Sequence, residues 1–358
     1  MHTIKKITLY QFRNYNVTSQ AFLQSVTCIT GANGSGKTNL LDSIYYLCYT
    51  KSYFTSYQQN IVQKGTDGFR VEGVFECDGE SETISCKWKQ GKKEVMSDGV
   101  EYEKVTDHIG KYAAVMIAPD DMELVNEGSE LRRKWVDAIL GQTDKAYLEK
   151  IMYYQHVLLQ RNAWLKRQSQ QPTSDLTELE YYNTQLSVSG SYIYACRQKF
   201  SISFLPLLQE LYQHLSGGRE LVSMVYDSDL AKNSLADLLD MGLDHDLRLQ
   251  RTLRGIHKDD WDFLLNDTAL KQFGSQGQKK SFLFAMKLAQ YAYLSKELGY
   301  QPILLLDDIF EKLDQQRMEA LLRIIRSESF GQVILTDTHT ERVQQAFGHG
   351  EGIGFIQV

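Results

Sequence analysis

One glycine-rich segment limits what this chain can fold into. Residues Gly31-Ala32-Asn33-Gly34-Ser35-Gly36-Lys37-Thr38 fit the phosphate-binding loop pattern G-x-x-x-x-G-K-[ST] at every required position. The β-branched run 25–30 before this loop predicts a buried strand, and residues 39–47 after it predict an amphipathic helix. A chance glycine-rich turn is the alternative, but the strand and helix on either side favour an α/β fold built around a triphosphate site.

Each residue type in the loop has a chemical role in binding phosphate. Glycines let consecutive backbone N–H groups point at phosphate oxygens, and the following helix N-terminus adds partial positive charge. We expect Lys37 to reach the β- and γ-phosphates and the Thr38 hydroxyl to hold Mg²⁺. The candidate nucleotide-binding residues are Gly31, Asn33, Gly34, Ser35, Gly36, Lys37, Thr38 and Asn39.

The composition and net charge of the chain exclude several classes of protein. The 358 residues carry a formal net charge of −6, so contact with nucleic acid would have to come from local basic patches and not from bulk charge. Five cysteines without a C-x-x-C pair argue against a disulfide framework and against a zinc site. No stretch approaches the roughly 20 apolar residues of a membrane span, so we expect a cytoplasmic protein.

The periodicity of the chain predicts two lobes. Alternating residues at 4–10, a hairpin over 71–88 and a strand at 113–117 indicate a mixed sheet in the first part. Longer helical patterns follow from about residue 121, and the strand patterns return near the carboxyl end. We therefore predict a sheet-containing ATPase lobe from residues 1–118 and 256–358, with an inserted, mainly helical lobe at 119–255.

A second informative region is the apolar run Pro302-Ile303-Leu304-Leu305-Leu306-Asp307-Asp308. A buried parallel strand that ends in carboxylates opens on the nucleotide in doubly wound folds. Paired with the loop, it predicts a Walker B strand in which Asp307 holds Mg²⁺ and Asp308 polarises the attacking water. Lys37 and Asp308 are thus the candidate catalytic residues, and Thr38 and Asp307 the candidate metal ligands. A core strand with a solvated end is the alternative.

The segment Ser275-Gln276-Gly277-Gln278 precedes a predicted helix. It offers backbone N–H groups, a hydroxyl and an amide to an anion. The same pattern is also common as an ordinary N-cap, and both interpretations stay open on the residues alone.

The order of these motifs resembles the ATP-binding-cassette ATPases of the group that includes the structural-maintenance-of-chromosomes proteins and Rad50, and within it the RecF family. The resemblance extends along nearly the whole chain. Besides the loop and Ser275-Gln276-Gly277-Gln278, it is carried by Phe12-Arg13-Asn14-Tyr15, Pro119-Asp120-Asp121, Arg132-Arg133-Lys134-Trp135-Val136-Asp137, Leu159-Gln160-Arg161-Asn162 and Gly255-Ile256-His257-Lys258-Asp259-Asp260.

The resemblance implies a function. Members of this family are weak, DNA-stimulated ATPases of DNA repair, replication and the SOS response; they dimerise on ATP and bind DNA at gaps. With RecR and RecO they help to load RecA onto single-stranded DNA. The resemblance also implies that Ser275 and Gly277, with Gln276 and Gln278 beside them, meet the γ-phosphate bound by a partner subunit, and that Asp314 aligns the dimer interface.

The chain departs from the family pattern at several positions. Glu311 stands where a serine is usual, Ser129 and Ile256 replace common prolines, and Asp337 stands where a histidine is frequent. His339 lies two residues further on and is a candidate substitute for that histidine, although a solvated surface histidine is the favoured explanation.

Several arginine clusters are candidate DNA contacts. Arg132 and Arg133 lie beside Lys134, Arg161 lies upstream of Lys166 and Arg167, and Arg248, Arg251 and Arg254 have the spacing of one helix face, with Lys258 beyond them. Clustered cations on one face are what phosphate binding needs. Charge runs also mark solvated faces paired with acids, and nothing suggests base-specific readout.

The function predicted from the sequence is an ATP-switched DNA-binding homodimer of recombinational repair that requires ATP and Mg²⁺ and acts on duplex or gapped DNA. A nucleotide-switched structural or clamp protein with protein partners and no DNA role is the alternative from another class. A small-molecule kinase is a third possibility, and it would leave Ser275-Gln276-Gly277-Gln278 without a role.

Overall fold

The structure is a computed structural model that describes residues 2–218, 220–309, 318–319, 321–323, 325, 330–347 and 352–358. The chain forms two compact units. The first contains Met1–Met122, Leu211–Arg219 and Lys280–Val358, and the second contains Glu123–Glu210 and Glu220–Lys279.

A five-stranded parallel sheet lies in the first unit, and it positions the phosphate-binding loop. Its order is β14-β3-β13-β12-β8, and every pairing is parallel. The strands are β3 (Val26–Thr30), β8 (Ala114–Ile117), β12 (Ile303–Leu306), β13 (Val333–Asp337) and β14 (Ile353–Gln357). Strands β8, β12 and β13 are buried along their whole length, as near-continuous apolar runs in parallel sheets are expected to be. The sequence predicted four of these strands, and β14 was missed.

Helix α1 (Lys37–Tyr49) follows the loop directly. The predicted helix is confirmed. Its predicted amphipathic character was wrong, because every residue from Leu40 to Tyr49 is buried. A helix that is apolar nearly all round is a core helix. It packs against strands of both sheets of the first unit, so its N-terminus is held rigidly at the sheet edge.

A six-stranded antiparallel sheet completes the first unit, in the order β2-β1-β4-β5-β6-β7. Its strands are β1 (His2–Phe12), β2 (Tyr15–Ala21), β4 (Gly68–Cys77), β5 (Glu80–Lys89), β6 (Lys92–Ser97) and β7 (Val100–Glu101). The predicted hairpin is confirmed, and its turn is only Asp78-Gly79, with φ of 51° and 91°. Two consecutive positive φ angles are what a two-residue hairpin turn requires.

The second unit is mainly helical, as the sequence predicted, and also contains a three-stranded antiparallel sheet that the sequence analysis missed. The sheet order is β11-β10-β9, from β9 (Val222–Asp227), β10 (Asp260–Leu265) and β11 (Thr268–Ala269). The helices that lie wholly or mostly in this unit are α2 (Met122–Asn126), α3 (Ser129–Thr143), α4 (Lys145–Gln170), α5 (Thr177–Ser216), α6 (Leu235–Met241), α7 (Leu243–Leu249) and α8 (Leu270–Phe273). Met122 and residues 211–216 at the end of α5 belong to the first unit.

The pairing of β9 with β10 affects the predicted lobe boundary at residue 256. Residues 256–279, which were expected in the ATPase lobe, fall in the second unit because β10 pairs with β9 over six residues. The division into functional lobes remains a prediction.

Two further helices are α9 (Gln276–Leu298), which begins within the Ser275–Gln278 segment, and α10 (Thr340–Phe347). No helix in the described ranges combines the length and the apolar character needed to cross a membrane. All five cysteines are free thiols.

Candidate functional site

The phosphate-binding loop joins the carboxyl end of β3 to the start of α1. Gly34 and Gly36 have φ of 80° and 117°, a left-handed conformation that glycine adopts without strain. Gly36 is the N-cap residue and supplies no side-chain cap. The first N–H groups of α1 are therefore available to an anion at the helix N-terminus.

The Lys37 side chain lies inside this loop. It is 4% exposed, and its Nζ donates to the carbonyl oxygens of Gly31 at 2.9 Å and Ala32 at 3.1 Å. These bonds hold the ammonium group beside the loop N–H groups. The arrangement concentrates positive charge where the sequence predicted the β- and γ-phosphates.

Thr38 links the loop to the end of β12. Its Oγ1 donates to Asp307, 3.0 Å from both carboxylate oxygens, and the Thr336 hydroxyl donates to Asp307 Oδ1 at 2.9 Å. Burial above all, with the nearby Asp308 charge adding to it, raises the pKa of Asp307 to about 6. A buried carboxylate with hydroxyl oxygens beside it suits a hard divalent cation such as Mg²⁺, which would favour the charged form. The two predicted metal ligands are thus in direct contact.

Asp308 occupies a special backbone position just beyond β12. Its φ is 46°, a left-handed conformation that is uncommon outside glycine. Its N–H donates to Thr336 Oγ1 at 2.9 Å, and the Thr336 hydroxyl lies 3.4 Å from its carboxylate. Thr336 therefore fixes both acidic residues, a contact that the sequence analysis did not identify.

The turn between β1 and β2 also supports the loop, which the sequence did not predict. The Asn14 side-chain amide donates to the Ser35 carbonyl at 2.8 Å, and the Tyr15 hydroxyl donates to the Gly36 carbonyl at 3.1 Å. Asn39, a predicted nucleotide contact, donates its side-chain amide to Asn14 Oδ1 at 2.8 Å. The polar turn and the place of Phe12-Arg13-Asn14-Tyr15 in the family resemblance were the available signals, and neither identified these contacts.

A buried carboxylate fixes the same turn to helix α1. Asp42 is fully buried and accepts hydrogen bonds from Arg13 at 2.6 Å, from the Ser52 hydroxyl at 2.7 Å and from the Tyr53 N–H at 2.7 Å. One charged arginine and two further donors satisfy this carboxylate, as a buried charge requires. The loop, its helix and the turn that braces them are thus one connected structure.

The Ser275–Gln278 segment forms a reciprocal cap at the start of α9. The Ser275 N–H donates to Gln278 Oε1 at 2.7 Å, and the Gln278 N–H donates to Ser275 Oγ at 3.2 Å. Gln278 also donates to Glu220 at 2.6 Å. The cap interpretation is therefore confirmed within the chain, while Ser275 and Gln276 are exposed and their contact with a partner's phosphate stays a prediction.

The remaining positions that the sequence singled out near the end of the chain have different outcomes in the structure. Asp314 and the unusual Glu311 lie outside the described residues. Asp337 is buried and accepts from the His339 N–H at 2.6 Å, whereas the His339 side chain is exposed. The structure therefore gives Asp337 a local role as a cap for the chain that follows β13.

The arginines proposed as DNA contacts have different environments. Arg132 is buried and donates to both carboxylate oxygens of Asp260, at 2.7 and 2.9 Å, so its side chain is engaged inside the second unit. Arg161 is fully buried against Asp246 at 2.7 Å. Arg133 is half-buried and donates to the Asp259 carbonyl at 2.7 Å.

The expected helix face of Arg248, Arg251 and Arg254 was wrong. Helix α7 ends at Leu249, and Gln250 closes it in the left-handed conformation with φ of 55°. Arg251 and Arg254 therefore lie beyond the helix, and Arg254 pairs with Asp229 at 3.3 Å. Helical spacing does not align these three cations.

Comparisons with known proteins place the chain among relatives. Residues 3–354 match the family model described as the RecF/RecN/SMC N terminal domain. The "DNA replication and repair protein RecF" of Flavobacterium johnsoniae is 41% identical over 345 residues, covering 96% of both chains. The protein of the same name from Cytophaga hutchinsonii is 37% identical over 339 residues, covering 95% of this chain and 90% of its own.

Solved structures agree with these relatives. The recombination mediator protein RecF with ATP, described as part of the RecFOR pathway, superposes with a TM-score of 0.88 at 27% identity, covering 95% of this chain and 92% of its own. The Smc head domain of Pyrococcus furiosus has a TM-score of 0.55 at 16% identity, covering 97% of this chain and 91% of its own, which shows the fold alone.

Proposed function

The chain belongs to the RecF family of DNA replication and repair proteins, and from that premise we propose that it is an ATP-switched DNA-binding dimer of recombinational and replication-gap repair. The observation that carries the proposal is the contact of Thr38 with Asp307 at 3.0 Å. This contact joins the phosphate-binding loop to the end of β12, which supports a triphosphate site at the sheet edge.

The residues of this site have distinct roles in ATP hydrolysis. Lys37 and the N–H groups of the loop bind the phosphates, and Thr38 and Asp307 would hold a Mg²⁺ ion, which would neutralise phosphate charge. Asp308, placed next to them by its bond to Thr336, orients the attacking water and accepts its proton. Hydrolysis at such a site is slow and is stimulated by DNA, so that it times a conformational cycle.

The switch itself requires a second copy of the chain. The exposed Ser275 and the adjacent Gly277 meet the γ-phosphate held by the partner subunit. Contacts that exist only with the γ-phosphate make the dimer stable with ATP and unstable with ADP, because a ligand shifts an equilibrium only by its differential affinity for the two states. Asp314, outside the described residues, completes this interface in the proposal.

The named relatives and structures support the biological setting. In this proposal the ATP-bound dimer holds duplex or gapped DNA in the cytoplasm. It then acts with RecR and RecO in loading RecA onto single-stranded DNA. Since the relatives carry the words "DNA replication and repair" in their names, this setting follows from the family and not from the site geometry.

Analytical sedimentation with Mg²⁺ tests the switch. We expect a dimer with ATP but neither without nucleotide nor with ADP. Asp308→Asn should prolong the dimer because hydrolysis is blocked, and Lys37→Ala should abolish it because ATP is no longer held. A monomer under all conditions, with ATP demonstrably bound, overturns the sandwich and leaves Ser275 as a helix cap.

One observation favours the alternative of a nucleotide-switched clamp with protein partners only. The net charge is −6, and Arg132 and Arg161 are used inside the second unit. Salt dependence separates the two functions, because a DNA binder loses affinity steeply as salt rises. An absence of any ATP-dependent DNA shift at low salt would favour the clamp.

A further inference from the structure

A segment of the second unit, residues 252–260, is held in place along its whole length. We call it the framed segment. At its start, the N–H and hydroxyl of Thr252 donate to Asn162 Oδ1 at 2.7 and 2.8 Å. In its middle, the His257 ring lies between the Tyr154 hydroxyl, 3.0 Å from Nδ1, and the Thr252 carbonyl, 3.1 Å from Nε2. Side-chain bonds of this kind fix the backbone of a non-repetitive segment.

Two buried arginines fix the end of the framed segment. Arg197 donates through Nη1 to the Ile256 carbonyl at 2.7 Å and to Asp259 Oδ2 at 2.8 Å. Arg132 holds the Asp260 carboxylate with two parallel bonds, the arrangement of strong guanidinium–carboxylate pairs. Both carboxylates of the segment are therefore already neutralised by buried cations, and neither is left to pair with an exposed lysine.

Two cations in and beside the framed segment differ from these buried arginines, because neither pairs with a carboxylate among the described residues. Lys258 is the exposed residue within 255–260, and Arg133 is half-buried and donates to the Asp259 carbonyl at 2.7 Å. In the part of the chain that the structure describes, neither has a carboxylate oxygen within 4.0 Å of its charged nitrogens. Both lie close to His257: burial mainly lowers the pKa of His257 to about 4, and Lys258 and Arg133 add to that effect.

The charge balance of this cluster is positive. The charged side chains in and around the framed segment are four cations and three carboxylates, a surplus of one positive charge: Arg132, Arg133, Arg197 and Lys258 against Asp137, Asp259 and Asp260. Burial first, and then the Arg197 charge, lower the pKa of Arg133 below its usual range. An anion bound at Arg133 would relieve this repulsion, and the guanidinium and ammonium groups together offer it several donors.

We propose that Arg133 and Lys258 form a phosphate-contact site for the DNA backbone, with the framed segment as its rigid support. The proposal rests on the DNA-binding part of the proposed function and names the residues for it. Contacts to phosphate position a duplex without reading its sequence, which suits a protein that binds gaps wherever they occur. The buried Arg132 and Arg161, by contrast, have no part in the contact.

Salt titration of DNA binding tests the site. A fluorescently labelled gapped duplex is titrated with wild-type protein, Lys258→Gln and Arg133→Gln, with ATP and Mg²⁺, over a series of salt concentrations. Each lost phosphate contact should flatten the slope of log K against log salt by about 0.9 and weaken binding on the order of tenfold at about 0.1 M salt. ATP-dependent sedimentation of the same variants should be unchanged, since neither residue belongs to the nucleotide site.

Lys134→Gln is the matched control. Lys134 follows Arg133 on α3, is exposed and pairs with Glu130 at 2.6 Å, so its removal should leave the slope unchanged. Lys258→Gln alters an exposed side chain and keeps the test valid if Arg133→Gln does not fold. An unchanged slope in Lys258→Gln, or an equal loss in Lys134→Gln, overturns the site.

These measurements also show whether the DNA-binding part of the proposed function or the phosphate-contact site itself is wrong. If wild-type protein forms the ATP dimer but shows no DNA binding, the DNA part of the proposed function fails. If wild-type protein binds DNA and the variants bind with the same slope, this site alone fails. If the variants lose binding of inorganic phosphate, measured by calorimetry, but keep the DNA slope, the site is a general anion site and the DNA assignment is overturned.

Discussion

The nucleotide site of the first unit and the framed segment of the second use buried polar groups in opposite ways. In the nucleotide site, a lysine and a carboxylate are held by neutral partners, so their charges remain available to a triphosphate and a metal ion. In the framed segment, arginines neutralise carboxylates, so most charge is consumed internally and only Arg133 and Lys258 are left over. A buried ion pair therefore indicates support, and a buried charge with neutral partners indicates a site.

The largest effect expected from this comparison is the loss of Arg197. Arg197→Met leaves Asp259 and Asp137 without the buried cation that each contacts at 2.8 Å. Breaking a buried pair by removing one partner destabilises by about 3–5 kcal/mol, and urea unfolding should show this. Arg167→Met, which breaks an exposed pair with Glu178, is the control and should cost less than about 1 kcal/mol. Equal losses of unfolding free energy in Arg197→Met and Arg167→Met would show that the buried ion pairs are not the support assigned to them.

The two regions should also respond to pH in opposite directions. The pKa of Asp307 is raised to about 6, so the folded first unit binds the proton more tightly, and its stability falls as pH rises from about 4 to 6. The pKa of His257 is lowered to about 4, so the second unit loses stability as pH falls from about 6.5 to 4. Each change is on the order of 3 kcal/mol.

Hydrogen exchange without Mg²⁺, corrected for intrinsic rates, resolves these two trends by peptide. Peptides from β3 and β13 should lose protection with rising pH, and peptides from 252–260 should gain it. Asp307→Asn should remove the first trend and His257→Gln the second. Trends of the same sign in both regions would contradict the opposite environments assigned to these two groups.

A smaller effect is expected at the turn that braces the phosphate-binding loop. Asn14→Ala removes the bond to the Ser35 carbonyl and the acceptor of Asn39. One lost hydrogen bond of about 1 kcal/mol corresponds to roughly fivefold weaker ATP binding, measured by titration with a fluorescent ATP analogue. Asn16→Ala, an exposed residue of β2, is the control, and equal weakening by both substitutions would show that Asn14 has no specific role.

The smallest effect belongs to an exposed pair at the margin of the second region. Arg254→Gln removes a surface contact with Asp229 at 3.3 Å. Exposed pairs contribute little, so the unfolding free energy should stay within about 0.5 kcal/mol. The salt slope of DNA binding should stay at the wild-type value, because Arg254 already has a carboxylate partner. A loss comparable to that of Lys258→Gln would extend the phosphate site to Arg254.

Local pattern predicted the elements around the phosphate-binding loop, and the contact of Thr38 with Asp307 joins two positions that it singled out. The loop residues lie within eight positions of one another, and the run before Asp307 is apolar enough to identify a buried parallel strand. Thr336 and Asn14 were missed, because their contacts depend on the neighbouring strand and on a turn about twenty residues away. No spacing rule connects such positions.

Charge runs predicted the second region poorly for a physical reason. Arg132, Arg133 and Lys134 are adjacent in sequence, yet the first is buried with Asp260, the second is half-buried and the third pairs with Glu130 at the surface. Successive helix residues point about 100° apart, so one run supplies a core contact and a surface contact together. Only the position of Asp260, more than a hundred residues later, separates them.

The order of the parallel sheet has a consequence for synthesis on the ribosome. Among the residues that the structure describes, strand β3, which leads into the phosphate-binding loop, pairs with β13 and β14 alone, whose residues begin at Val333 and Ile353. At translation rates of roughly 5–20 residues per second, β3 waits on the order of 15–60 s for these neighbours. The nascent chain therefore exposes an unpaired apolar strand for that time, and the contacts of Asp307 with Thr38 and Thr336 can all be in place only once β13 has been made.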